Sequence, residues 1–175
     1  MERLPYGPQS LRELVEADLR RAARLVIKVQ DEIDPQVRIA TPEGDFWIAV
    51  TLPRDDYGRR NAFRALSLFM AWKQAFSFTF ASEIYQPDAV YCVGITYKEQ
   101  FACLACIRRE PKPWTARNFG EVEWLPATSI DPVLIDLLPR GAREMTSKGL
   151  QTLDKWFGGR DKFLALQVAT GELGI

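Results

Sequence analysis

AVYCVGITY (89–97), KEQ (98–100) and FACLACIRR (101–109) read together as a β-hairpin. Both outer runs are rich in β-branched, aromatic and small apolar residues, and the polar triplet between them suits a three-residue loop. With Tyr97 set opposite Phe101, the register places Cys92 opposite Cys106 and Asp88 opposite Glu110. Cys103 and Cys106 form a CxxC pair, but on a strand their side chains point to opposite faces. That argues against thiol exchange or a zinc site and for three small buried thiols.

On the N-terminal side, Ser10 and Glu13 have the spacing of a helix capping box. Leu11, Leu14, Val15, Ala22, Leu25, Val26, Val29 and Ile33 then recur at three- and four-residue intervals, predicting a long amphipathic helix that stops near Asp34-Pro35. Its opposite face carries Glu16, Arg20, Arg24 and Lys28 four apart. Glu13, Glu16 and Asp18 dilute that row, so it reads as a solvated helix face. Val37–Ala40 and Phe46–Leu52 predict a second hairpin about the turn Thr41-Pro42-Glu43-Gly44. A second helix is expected from near Arg59 to about Ile84, because Phe69, Trp72, Phe76 and Phe80 fit one helix face.

Towards the C-terminus, Pro111 and Pro113 close the central hairpin and a strand is expected at Val122–Leu125. Asp131-Pro132 has the form of an N-cap followed by a first-turn proline, with Pro139 ending the short helix. A further amphipathic helix over Thr146–Phe157, capped by Gly158, and a last strand near Phe163–Val168 complete the pattern. The order α-β-β-α-β-β-β-α-β predicts an α+β fold, a mostly antiparallel β-sheet packed against several helices. Residues 10–175 are expected to form a single domain after an extended N-terminal lead-in over 1–9.

The 175 residues include no histidine. Ser-His-Asp and Cys-His nucleophile pairs are therefore excluded, as are the histidine ligands of catalytic zinc. Lys plus Arg and Asp plus Glu number 23 each, so no net field draws the chain to nucleic acid or to an anionic membrane. No apolar run reaches membrane-spanning length and MERLPYGPQS lacks an apolar signal core. Together with an odd number of cysteines in apolar segments, this gives a cytoplasmic expectation.

The residues best placed for chemistry are acidic. Glu83, Asp88 and Glu110 are expected at one end of the sheet, with Lys112 beside them to offset their mutual repulsion. The set Glu83, Asp88, Glu110 and Lys112 resembles the PD-(D/E)xK nuclease superfamily over about thirty residues, with Pro111 where that family places an apolar strand residue. The resemblance implies Mg²⁺ held by Glu83, Asp88 and Glu110 and an attacking water assisted by Lys112, with nucleic acid as substrate. Gly158–Lys162 lacks P-loop spacing and follows a helix, no GxSxG elbow occurs, and Asp55 and Asp56 partly cancel Arg59, Arg60 and Arg64.

The leading expectation is a non-catalytic module that binds a protein partner or a small ligand, alone or as a homodimer, and without a cofactor. Trp114, Phe119 and Trp124, in a segment rich in prolines and turns, read as core or as partner surface. The metal-dependent nuclease is the alternative.

Overall fold

The computed structural model describes residues 10–111, 114–138, 147, 148 and 151. The first helix, α1 (Leu11–Val29), begins with the expected capping box, in which the Ser10 hydroxyl accepts from Glu13 N and the Glu13 carboxylate accepts from Ser10 N. It is followed by β1 (Gln36–Thr41), β2 (Gly44–Ala49), α2 (Asp56–Trp72) and β3 (Ser77–Tyr85). Next come β4 (Asp88–Thr96), β5 (Gln100–Pro111), β6 (Trp114–Phe119), β7 (Glu123–Leu125), one 3₁₀ turn (Ala127–Ser129) and α3 (Pro132–Ile135). The architecture is the expected α+β: one seven-stranded antiparallel sheet of order β2-β1-β3-β4-β5-β6, with β7 also pairing β5.

The pleat sends alternate residues to two different cores. Val90, Cys92, Cys103, Ala105 and Ile107 meet α1 through Leu11, Val15, Leu19, Ala22 and Val26. Val93, Ile95, Phe78, Phe80, Ile39 and Phe46 meet α2 and α3 through Leu66, Phe69, Met70 and Leu134. The sheet is thus a middle layer, with α1 on one face and α2 and α3 on the other. No described helix is long and apolar enough to cross a membrane.

The second helix stops earlier than its aromatic spacing predicts. Trp72 is its last residue, Gln74 takes a left-handed φ of 53°, and Ala75 N and Gln74 N donate to Met70 O and Ala71 O. Those two bonds form a Schellman stop without glycine. The aromatic run Phe76–Phe80 then alternates as β3 between β1 and β4. The helix also starts earlier than predicted, because Asp55 caps it by accepting from Gly58 N at 2.7 Å.

The central hairpin has the expected strands and a different register. Thr96 Oγ1 accepts from Lys98 N and Glu99 N while Thr96 N donates to Glu99 O, so the turn closes with Ile95 opposite Gln100. Every pair is displaced by three residues from a Tyr97–Phe101 pairing. Cys92 lies opposite Cys103, and Ala89 opposite Cys106. The expected opposition of Cys92 to Cys106 and of Asp88 to Glu110 is thereby corrected.

Beyond Ile107, β5 turns to a further partner the prolines concealed: Arg109 pairs Ala116 and Glu110 pairs Thr115 on β6, past a bulge at Arg108/Arg109. The strand expected at Val122–Leu125 is β7, and Asp131 caps α3 by accepting from Val133 N, with Pro132 in its first turn. The predicted lead-in over 1–9, Lys112, Pro113, Pro139, the 158–162 turn and the 163–168 strand lie outside the described residues. So does most of the predicted 146–157 helix; its described residues Ser147, Lys148 and Gln151 are helical.

Candidate functional site

Two of the predicted acids do come together, around an arginine. Arg109 reaches from β5 to Asp88 at the start of β4, with Nε 2.6 Å from Oδ2 and Nη2 3.3 Å from Oδ1. The same guanidinium lies 3.6 Å from Glu83 Oε1 on β3. Glu83 Oε2 accepts from Ile33 N at 2.8 Å, so one carboxylate fixes both the chain that enters β1 and the end of the sheet. Burial raises the Glu83 pKa, while the Ile33 amide and Arg109 act against that rise. The hydrogen bond to Asp88 raises the Arg109 pKa, which keeps its charge in place.

Glu110 is not part of this cluster. In the observed ladder the position opposite Asp88 falls three residues before Glu110, roughly 10 Å along the strand. Glu110 instead bonds Arg117 Nη2 at 3.0 Å, both side chains being half-exposed. Lys112 lies outside the described residues. Among the described residues, no group of three or more Asp, Glu, Cys or His side chains is arranged to hold a metal ion. Glu83 and Asp88 give their oxygens to a guanidinium, and a divalent cation would have to displace it.

The thiols divide. Cys92 and Cys103, opposite one another, are buried and free; Cys106 is free but exposed, against the expectation of three buried thiols. The alternation of the strand does separate Cys103 from Cys106 as expected. Of the aromatic trio, Phe119 and Trp124 are partly buried against the α1 core, and Trp124 packs edge-on to Phe101 and under Arg12. The side chain of Trp114 lies outside the described residues.

A broad concavity lies where the loop 31–35, the loop 52–54, the start of α2 and α3 surround the sheet. It measures about 1080 Å³. Phe63, Phe80, Leu52 and Leu134 supply an apolar wall; Arg54, Arg59 and Arg60 stand on the α2 side. Asp31, Glu32, Asp34 and Asp131 form an acidic rim. Sequence reasoning missed this cleft because its walls come from segments far apart in the chain, and only the end of α2 and the start of β3, both misjudged, could have indicated it.

Its polar groups are mostly engaged. Asp34 accepts from the Thr51 hydroxyl, Asp56 holds Arg59 at 3.0 Å, and Asp131 caps α3. Tyr91 differs: its hydroxyl is buried with no hydrogen-bond partner among the described residues, and burial pushes its pKa up to about 12. At neutral pH it is a donor or acceptor of hydrogen bonds and not a base. Compared with protein-family models, with curated proteins and with solved structures, the chain finds no match.

Proposed function

We propose that the chain is a non-catalytic interaction module whose cleft receives a polypeptide segment with basic and apolar side chains. The observation that carries this reading is the make-up of the cleft: about 1080 Å³, at the top of the roughly 300–1,000 Å³ range of small-molecule sites, with an apolar wall and an acidic rim. Interaction surfaces combine an apolar centre with a charged rim in this way. The rim carboxylates serve as helix caps and loop ties, which suits recognition better than proton transfer. An apolar side chain seated on Phe63 and Phe80 would bring backbone groups near Tyr91.

Placement in the cytoplasm belongs to the same proposal. It is supported by Cys92 and Cys103, which face each other across two strands without a disulfide. A second copy of the chain is one candidate partner, and sedimentation velocity separates self-association from binding of a foreign segment.

The reading is tested on a peptide array probed with the purified chain. Selected peptides should pair Lys or Arg with Leu or Phe, and Asp31→Lys/Asp34→Lys should abolish their capture. Selection of acidic peptides, or capture that survives the charge reversal, would overturn it.

A further inference from the structure

On the opposite side of the sheet, α1 and the β1–β2 hairpin enclose a second, smaller pocket of about 250 Å³. Arg21, Arg24 and Lys28 line it from α1; Gln36 and Trp47 line it from the strands. Arg24 and Lys28 belong to the row that reads from sequence as a solvated helix face. Arg20, the remaining cation of that row, is engaged differently, bonding Glu16 at 2.8 Å. Arg21, Arg24 and Lys28 make no ion pair among the described residues.

The acid at the pocket, Asp18, is already committed. It is 4% exposed, accepts from the Thr79 hydroxyl at 2.6 Å and lies 3.6 Å from Arg38 Nε. Arg38 in turn stands 3.6 Å from Asp45. The cations at the pocket therefore outnumber the acid, whose charge is shared among Arg38, Thr79 and, at longer range, Arg21. Arg21 and Arg38 both stack on Trp47, 4.0 and 4.4 Å from its ring centroid, which holds the indole in place. The indole Nε1–H is buried with no acceptor among the described residues. Burial also lowers the Arg21 pKa, with the charge of Asp18 opposing the fall and Arg38 adding to it.

We propose that this pocket binds a small phosphate-bearing anion, gripped by Arg21, Arg24 and Lys28 beside Trp47. The volume admits a phosphate or pyrophosphate group and little more. Guanidinium and ammonium donors at one concave site are the groups that recognise phosphate oxygens, and the Trp47 ring in the pocket wall would report their arrival. The site is separate from the cleft and does not rest on the peptide reading.

The test is a titration of the full chain with inorganic pyrophosphate, followed by the indole N–H signals in ¹H–¹⁵N spectra, with Trp47 assigned through Trp47→Phe. A saturable shift of the Trp47 signal is expected. Arg24→Gln/Lys28→Gln, at two exposed positions, should weaken binding by roughly tenfold or more, while Arg64→Gln on α2 should leave it unchanged. Circular dichroism verifies that the double variant is folded. A Trp47 signal that does not move, or an equal loss in all variants, would overturn the site. Co-sedimentation with phosphatidylserine vesicles, lost in the double variant, would overturn the soluble ligand in favour of a lipid headgroup.

Discussion

Replacing Gly94 by alanine adds one methyl group to the middle of β4, and on general grounds the change should help. It narrows the unfolded ensemble, worth about 0.4–1 kcal/mol, and removes a glycine from a strand interior. The structure argues the reverse. A Cβ built at Gly94 lies 2.2 Å from Val15 Cγ2 and 3.1 Å from Leu11 Cδ1. Val15 is 0% exposed and Leu11 2%, so neither can swing into solvent. Relief requires α1 to lift from the sheet or Val15 to leave its rotamer. Overpacking costs about 1–3 kcal/mol, and a contact this short belongs in the upper part of that range, about 2–3 kcal/mol, leaving a net loss of about 1–2 kcal/mol after the entropic gain.

The assay is equilibrium urea unfolding, read as a lower midpoint at unchanged slope. A thermal scan should show a Tm lower by roughly 2–8 °C. The double variant Val15→Ala/Gly94→Ala isolates the cause, because the new methyl then occupies space that Val15 has vacated. Its loss should fall short of the sum of the single losses by about 1–2 kcal/mol. A neutral or stabilised Gly94→Ala, or a strictly additive cycle, would refute the close approach of α1 to β4.

Two further outcomes are expected. Burial pushes the Cys103 thiol up to about 12 and raises Cys92 well above its ordinary value, so a thiol-reactive dye should label Cys106 quickly in the native chain. Cys92 and Cys103 should react only on unfolding, and mass spectrometry of the labelled peptides checks the order. Burial raises the Asp18 pKa above its ordinary 3.8, although Arg38 and Thr79 oppose the rise. The folded state therefore favours the protonated acid, giving a contribution fully present below 3.8 and lost as pH rises through the folded pKa. Asp18→Asn should match the parent in stability at the acidic end and gain on it as pH rises; urea midpoints for the pair that stay parallel across this range would contradict the assignment.

Much of the fold is legible because its signals are local. The capping box of α1, the turn 41–44 and the Asp131-Pro132 start of α3 are set by residues within a few positions of one another. The end of α2 is not local: Gln74 adopts a left-handed conformation that sequence assigns to glycine, and Phe76–Phe80 fits a helix face as well as a strand. Pairing with β1 and β4 decides between them. The register of the central hairpin turned on one hydroxyl, that of Thr96, and a three-residue displacement sufficed to part Asp88 from Glu110. Glu83, expected at the end of a helix, stands on β3 near Asp88, and Arg109, which the acidic pattern does not single out, is the group between them. The pocket on α1 was half visible as Arg24 and Lys28; its other wall required knowing that Trp47 faces the helix.

Gln30, the left-handed residue that closes α1, has its side-chain amide turned to the strand at the sheet's end. Nε2 donates to Ala116 O at 2.7 Å and Oε1 accepts from Ala116 N at 2.9 Å. These are the two bonds a neighbouring strand would make, supplied by a single side chain. An edge strand with free amides invites pairing with another chain, and β6 is the last strand of the main path. By acting as a one-residue surrogate strand, Gln30 interrupts that invitation midway along β6. The helix cap thereby serves as a guard against sheet-to-sheet aggregation, and fraying of the last turn of α1 would expose the edge it covers.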